Sequence, residues 1–436
     1  MRSRHLLIVG AVAVGLTACG GGDHPYAGPL LQHGVADRAN DNVSLTARDN
    51  MVALAWSTSA DAGMNVYAAV SLDGGKSFGA PLRVNADDGG ARVSGEQPPR
   101  AVLIPDPDGF PQPFVVWTRK EPGGTRIVWS YTKDGTTFSA PAVVPGADGA
   151  GNRGWESLAL DASDHPLLVW LDHRETAATA VAPMHQHEGM TGGTAPPAAG
   201  APGDAPKPDP VERAGLSRLW FSAADGSVPP TQITGGVCYC CKTALAVSGQ
   251  RVVAAWRHVY DGNQRDIAFA QSLDGGRTFS APVRVSEDHW KFDGCPENGP
   301  AIAIDQAGAV HIAWITPLGG VEGAPLALYT ASTADGATFT PRAHVSAKGA
   351  TAHAQLVADK RGGLVLAWDE ATPAGRVVRV ARGTVGGDGL TSFGKPATMA
   401  GAGDHPALAA PDSGAVLAWI RRDPGTNSVI NLIRVP

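Results

Sequence analysis

The sequence predicts an all-β protein, a seven-bladed β-propeller with four antiparallel strands in each blade. Three observations predict it: many turn residues, a repeated segment that ends in tryptophan, and a recurrent turn that contains Asp and Gly. The 436 residues include 55 glycines and 34 prolines. Short apolar runs bounded by such residues are typical of strands joined by tight turns, and no amphipathic helix stands out.

An internal repeat runs through the chain as a short apolar strand, a turn and a second strand that ends in tryptophan. Clear copies are TALAVSGQRVVAAW and PAIAIDQAGAVHIAW. The seven copies end at Trp56, Trp117, Trp170, Trp256, Trp314, Trp368 and Trp419. Two further strands follow most copies, and four-stranded repeats of roughly 50 to 60 residues are typical of propeller blades.

The turn between the third and fourth strands has a recognisable form in two repeats. SLDGGKSF spans Ser71 to Phe78, and SLDGGRTF spans Ser272 to Phe279. Both segments match the Asp-box pattern, so the chain resembles the sialidase and BNR-repeat superfamily over nearly its whole length after the N-terminal segment. The resemblance implies structural roles in these turns for Asp73, Gly75, Phe78, Asp274, Gly276 and Phe279. Sialidases have six blades, which makes a six-bladed ring the alternative.

The last repeat lacks an outer strand. After Trp419 and a short loop the sequence continues only with NSVINLIRV and a final proline, which is enough for one further strand. We therefore expect the segment from Gly28 to Asp37 to supply the missing strand and close the ring. Closure removes the unpaired strand edges that an open sheet would expose.

Strands that alternate in direction assign every loop to one of two faces. The Asp-box turns lie on one face, which we call the turn face. Loops between blades and loops after the tryptophan strands lie on the opposite face, the loop face. Cys238, Cys240 and Cys241 occupy one inter-blade loop and Cys295 occupies the next, so we expect all four sulfur atoms to lie close together.

The chemistry of these sulfur atoms is open at this point. Four cysteines remain when Cys19 in the N-terminal segment is left out. An even number of cysteines in an exported protein favours disulfides, for example one from the triplet to Cys295. A metal site on reduced thiolates is the alternative. A Pro-, Ala- and Gly-rich insertion at 177–213 on the same face carries Met184, His185, His187 and Met190. Thiolate, thioether and imidazole together suit copper and, less exclusively, zinc.

The N-terminal residues predict export. Arg2 and Arg4 precede an apolar run too short for a permanent membrane anchor. The run ends in LTAC, which resembles the lipobox of bacterial lipoproteins and implies lipidation of Cys19 and an outer-membrane location. We expect a signal peptide at 1–19, a linker at 20–27 and a single propeller domain at 28–436. The formal net charge of −6 gives no basic surface for nucleic acid.

The resemblance to sialidases also implies a catalytic alternative, an exo-sialidase-like glycoside hydrolase. Its candidates are Arg174, Arg257 and Arg421 for a substrate carboxylate, Tyr260 as nucleophile and Glu297 as its base. The F/Y-R-I-P element of that family is absent. Further polar residues that we expect on the loop face or its rim are His173, His258, Asn298, His353, Asp404 and His405.

The sequence thus favours a non-catalytic envelope lipoprotein that acts as a binding module, with a copper-type site on the loop face. Its expected partners are a metal ion, or an envelope protein or glycan. The two alternatives are the glycoside hydrolase and a metal-free propeller that docks other proteins.

Overall fold

The computed structural model describes residues 29–178, 209–321, 323–345, 350–422 and 427–435. These residues form a β-propeller of seven antiparallel blades, which confirms the predicted fold and excludes the six-bladed alternative. Residues 1–28, with Cys19, lie outside the described residues, as do 179–208, with Met184, His185, His187 and Met190. No described helix is long and apolar enough to cross a membrane.

Six blades are continuous in sequence and run from the innermost strand to the outermost. The short strand β1 (Leu31–His33) belongs to the last blade. Blade 1 contains β2 (Asn40–Arg48), β3 (Met51–Ala60), β4 (Gly63–Ser71) and β5 (Leu82–Arg83). Blade 2 contains β6 (Arg100–Pro105), β7 (Pro111–Glu121), β8 (Gly124–Tyr131) and β9 (Ala142–Val143). Blade 3 contains β10 (Arg153–Leu160), β11 (Pro166–Asp172), β12 (Arg218–Ala223) and β13 (Thr231–Gly235).

The remaining blades follow the same order, and the sixth carries one extra short strand. Blades 4 to 7 contain β14 (Ala244–Ser248), β15 (Arg251–Arg257), β16 (Ile267–Ser272), β17 (Val283–Arg284); β18 (Ala301–Ile304), β19 (Val310–Pro317), β20 (Leu326–Thr333), β21 (Ala343–Val345); β22 (Thr351–Ala358), β23 (Leu364–Thr372), β24 (Gly375–Val385), β25 (Thr391–Phe393), β26 (Ala397–Thr398); and β27 (Asp404–Ala409), β28 (Ala415–Arg421), β29 (Val429–Val435) with β1. Short helices, α1 (Arg174–Ala178), α2 (Pro210–Gly215) and a 3-10 turn (Leu318–Gly320), lie in loops of the loop face.

The core consists of seven hydrophobic clusters, one between each pair of neighbouring blades in the described chain. Each cluster contains one of the seven repeat tryptophans, and every one of these side chains is buried. A tryptophan at the same place in each repeat therefore fills the same gap around the ring, which is why the repeat is visible in the sequence.

The ring closes as the sequence predicts. β1 pairs with β29 in antiparallel register, with Leu31 opposite Leu432 and His33 opposite Ile430. The innermost strands contact each other all the way round, including β27 of the last blade with β2 of the first. β29 therefore has a hydrogen-bonded strand on each side, β28 and β1.

The Asp-box turns have the predicted bonding. The Asp73 carboxylate accepts hydrogen bonds from the backbone N–H groups of Lys76 and Ser77, at 2.9 and 3.0 Å. Gly75 has a φ of 82° and approaches Val416 of blade 7, where a Cβ atom would lie 2.5 Å from the valine side chain. The Phe78 ring packs into the same interface between blades 7 and 1.

The second Asp-box turn repeats this arrangement. Asp274 accepts from the Thr278 backbone N–H at 2.9 Å, and the Phe279 ring packs edge-on against Phe221 of blade 3 at 5.1 Å. Gly276 lies directly over the same phenylalanine. The turn therefore fixes both its own hairpin and the neighbouring blade.

Candidate functional site

Two inter-blade loops on the loop face, residues 236–243 and 285–300, carry the four described cysteines. The first loop is pinned to the end of β15, because the Cys238 N–H donates to the Arg257 carbonyl at 2.9 Å and Val259 donates back to Gly236 at 2.8 Å. This short continuation of β-pairing holds the cysteine triplet against blade 4.

The structure brings all four sulfur atoms together. The Cys238 sulfur lies 3.9 Å from that of Cys240 and 3.8 Å from that of Cys241. Cys240 and Cys295 form a disulfide that links the two loops, while Cys238 and Cys241 are free thiols. The triplet is buried and Cys295 is half-buried. The cluster therefore combines one disulfide between loops with a dithiol in the sequence Cys-x-x-Cys.

A buried arginine supplies positive charge to this cluster. Arg265 is fully buried, and its Nη1 donates to the Cys238 sulfur at 3.2 Å. A hydrogen bond from the Cys241 thiol and the charges of Arg265 and Arg257 lower the pKa of Cys238, although burial opposes them. Burial and the neighbouring sulfur raise the pKa of Cys241. Cys238 is therefore the sulfur on which negative charge is best stabilised.

The returning end of the insertion packs on the sulfur atoms. Helix α2 begins after Asp209, whose carboxylate caps the N–H groups of Val211 and Glu212. Val211 and Ala214 contact the cysteine triplet, and the Arg213 guanidinium lies 3.9 Å from the centre of the Tyr239 ring. The cluster is thus covered by a segment that the sequence predicts only as part of a Pro-rich insertion.

The spacing of the sulfur atoms fits metal coordination. The ligand atoms of Cys238, Cys240 and Cys241 all lie within 4.8 Å of one another, and no other group of three or more His, Cys, Asp or Glu in the described ranges does so. Two thiolates bound at about 2.3 Å with tetrahedral angles lie about 3.8 Å apart, which is the separation found here. These three cysteines could therefore bind a metal ion.

The structure shows the contacts of two of the three arginines proposed for hydrolase chemistry. Arg174 bonds to Asp172 of its own blade, and the buried Arg257 donates to the backbone carbonyls of Asn298, Arg265 and Ile315. Arg421 is the last residue of β28 in blade 7. The three arginines therefore lie in three different blades, 3, 4 and 7.

Tyr260 and Glu297, the proposed nucleophile and its base, have different surroundings. The Arg284 guanidinium lies 4.1 Å from the Tyr260 ring centre, and burial raises the pKa of Tyr260 to about 12. Glu297 is exposed, with a φ of 46°. No hydrogen bond joins these two side chains in the part of the chain that the structure describes.

The predicted histidines fall into two groups. His173 and His258 are kept neutral, because burial lowers the pKa of each to about 4. His353 and His405 stack at the mouth of the central channel with ring centres 3.8 Å apart. Their Nδ1 atoms bond to the carboxylates of Asp369 and Asp404, at 2.6 and 2.8 Å.

Sequence reasoning missed the group that closes this mouth. Glu96 lies in the long loop between blades 1 and 2, and its Oε2 accepts from the N–H groups of Lys242 and Gly299, at 3.2 and 2.8 Å. Gly95 passes so close to His405 that a Cβ atom would meet the imidazole. The only sequence signal is the length of this loop, residues 84–99, because a single glutamate before two prolines has no distinctive pattern.

No protein-family model matches the chain and no curated protein matches it, but solved structures match its fold. An ulvan lyase of polysaccharide lyase family 25, solved with -[GlcA(1-4)Rha3S]-, is 11% identical over 93% of this chain and 96% of that one, with a TM-score of 0.53. The S511A mutant of puromycin hydrolase is 12% identical over 90% of this chain and 51% of that one, with a TM-score of 0.51.

A sialidase is also among the similar structures. The K499G mutant of NanB sialidase from Streptococcus pneumoniae is 10% identical, and the match covers 94% of this chain and 70% of that one with a TM-score of 0.44. At these identities the comparisons show a shared propeller fold. The two matches with TM-scores above 0.5 carry this conclusion, and none of the comparisons assigns a family.

Proposed function

We propose that this protein is a non-catalytic envelope binding module that holds a copper-type metal ion on its loop face. The observation that carries the proposal is the mutual spacing of the sulfur atoms of Cys238, Cys240 and Cys241. Cys238 and Cys241 are the two available ligands when the disulfide is present. Reduction of the bond between Cys240 and Cys295 adds a third sulfur.

Charge balance favours a monovalent ion in the oxidised protein. Two thiolates and one Cu(I) ion leave a single negative charge near the buried Arg265 and Arg257, the two guanidinium groups whose charges lower the pKa of Cys238. Soft thiolate ligands select Cu(I) among the common metal ions. Zn(II) on the same two thiolates would leave the buried guanidinium groups without this counter-charge, which is costly in a site that excludes water.

Metal analysis of protein purified from the periplasm tests the proposal. We expect one copper ion per chain after anaerobic Cu(I) loading, retained in competition with a Cu(I) chelator. Cys238→Ser and Cys241→Ser should each weaken retention at least about tenfold, because each removes a ligand worth more than about 1.4 kcal/mol.

The matched control is Cys295→Ser, which also removes one cysteine but frees Cys240 as a ligand. Its copper retention should equal or exceed that of the wild type. Retention by Cys238→Ser at the wild-type level, or no copper in reduced wild-type protein, would overturn the proposal. Zinc bound in place of copper would overturn the choice of metal.

The same preparation separates the two alternatives. Turnover of a fluorogenic sialoside that is lost in Tyr260→Phe would favour the hydrolase. Capture of an envelope protein by metal-free protein, undiminished by Cys238→Ser, would favour docking without a metal. The binding-module proposal expects no turnover.

A further inference from the structure

The central channel of the propeller contains a cavity that the proposed metal site does not use. Its volume is about 140 Å³, and it is lined by the inner strands and preceding loops of blades 1 to 6. Two basic side chains line it, Arg100 from blade 2 and Lys242 from the loop before blade 4. A buried water needs roughly 10–15 Å³, so the cavity has room for a small polyatomic ligand.

Neither basic group has a carboxylate partner in the described part of the chain. Lys242 is 4% exposed, and its Nζ donates to one acceptor, the Ala354 carbonyl at 2.7 Å. Arg100 donates from Nε to the Glu156 carbonyl at 3.2 Å. No carboxylate oxygen of the described residues lies within 4.0 Å of either charged group. Arg100 is half-buried and Lys242 is buried. Two like charges that line one partly open cavity repel each other unless an anion compensates them.

The nearby acidic groups compensate this charge only in part. The Oε2 atom of Glu96 is occupied by two backbone N–H groups, and Asp369 is bound to His353 and Arg376. Glu156 is 1% exposed, and burial raises its pKa to about 7. With Glu156 protonated, Arg100, Lys242 and Glu96 together carry one excess positive charge.

We infer that this cavity is a binding site for one small anion, an oxyanion or a carboxylate, held between Arg100 and Lys242. The guanidinium and ammonium groups supply charged donors that have no other anionic partner, and such charge-assisted hydrogen bonds are the strong ones. Arg100 is the first residue of inner strand β6, and Lys242 lies in the loop directly before inner strand β14. No sulfur atom lines the cavity, although Lys242 directly follows the proposed metal ligand Cys241 in the sequence.

Isothermal titration calorimetry with sulfate, phosphate and acetate tests the inference on the complete protein at constant ionic strength. We expect saturable binding of one anion per chain. Arg100→Gln and Lys242→Met should each weaken it at least about tenfold, the loss expected for one buried charged contact. The exposed Arg92→Gln and Lys120→Met are the matched controls and should bind as the wild type does.

Crystals soaked in selenate provide a measurement that needs no variant. An anomalous peak between Arg100 and Lys242 supports the site, and peaks confined to the outer surface overturn it. Wild-type protein without saturable binding, or undiminished binding in both channel variants, also overturns it. Cys238→Ser should lose copper and keep anion binding, so failure of either site is distinguishable from failure of the other.

Discussion

Glu156 is a single buried group that ties the stability of the protein to pH. It lies on the inner strand of blade 3, where its Oε2 accepts from the Thr118 hydroxyl at 3.1 Å and its Oε1 has no partner among the described residues. Burial raises its pKa from 4.5 to about 7. Between these two pH values the folded protein keeps a proton that the unfolded chain has lost, so stability falls as pH rises.

Glu156→Gln should therefore remove part of this pH dependence. The wild type should lose up to about 3 kcal/mol between pH 4.5 and 8 through this group, since one pKa unit corresponds to about 1.36 kcal/mol. The variant should unfold at a higher temperature than the wild type at pH 8, with the difference disappearing near pH 4.5. Thermal unfolding followed by circular dichroism measures this.

The exposed Glu287→Gln is the control and should leave the pH profile unchanged, because its side chain is 74% exposed. Parallel profiles of Glu156→Gln and the wild type would contradict the assignment of a raised pKa to Glu156.

At the same scale, the sequence could place the cysteines but not their partners. Blade order predicts that Cys295 meets the triplet, because neighbouring loops on one face must be close. It does not predict that Cys240 forms the disulfide, or that Arg265 lies against Cys238. Those facts depend on the conformation of individual loop residues, and loops follow no periodic pattern.

At the scale of elements, the inner strands carry a feature that sequence patterns do not reveal. The pairing register shifts near the start of β2, β10, β22 and β27. At each shift one residue takes a positive φ: Asn42, Trp155, His353 and His405. A bulge of this kind re-aims a side chain. It turns His353 and His405 to the channel mouth, on the face where the sequence places them, although the apolar pattern of their strands does not predict the bulge itself.

The close approach of the Asp-box glycines to the neighbouring blade can be tested by substitution. A Cβ atom on Gly276 would lie 2.2 Å from the Phe221 ring. Gly276→Ala should therefore lower the free energy of unfolding by about 2–5 kcal/mol, which combines roughly 1–2 kcal/mol for the left-handed backbone with the cost of overpacking. Chemical denaturation measures the loss.

Gly226→Ala is the matched control. Gly226 has a φ of 80°, close to the 90° of Gly276, but a Cβ atom there would meet nothing within 4 Å. It should lose only the backbone component of about 1–2 kcal/mol. Equal losses in the two variants would show that contact with Phe221 contributes nothing.

At the scale of the whole molecule, β1 ties the beginning of the described chain to its end. A variant that begins at Gly34 lacks β1 and leaves the outer edge of β29 unpaired. We expect it to lose about 3 kcal/mol, taking about 1 kcal/mol for each of roughly three backbone hydrogen bonds, and to associate through the free edge. Thermal unfolding and size-exclusion chromatography measure the two effects.

A variant that begins at Pro29 keeps β1 and is the control for this truncation. It should match the full chain in both measurements. If it is destabilised as much as the shorter variant, the loss comes from residues before β1 and not from ring closure.

The N-terminal prediction is tested at this scale too. If Cys19 carries the lipid, Cys19→Ala should move the protein from the membrane fraction to the soluble periplasmic fraction. Cys241→Ser, which leaves the N-terminal segment intact, should stay with the membrane. Fractionation with immunoblotting decides, and a membrane-bound Cys19→Ala protein would exclude this anchor.

The whole fold was predictable because each repeat packs against its neighbour in the same way. Seven tryptophans at equivalent positions indicate seven blade interfaces, and the missing last strand indicates closure by the N-terminal segment. The channel was not predictable, since Glu96 and Arg100 at the entry to blade 2 meet Lys242 of the loop before blade 4 only in the assembled ring.

The position of β1 also determines which face of the propeller an N-terminal lipid anchor would hold toward a bilayer. The strand leads into β2 through the loop face, so Pro29 and Leu30 stand on the side of the Asp-box turns. Nine residues lie between Cys19 and Pro29, so their Cα atoms can be at most about 35 Å apart. If Cys19 carries a lipid, the turn face, with exposed leucines such as Leu72 and Leu273, would lie nearer the membrane than the loop face.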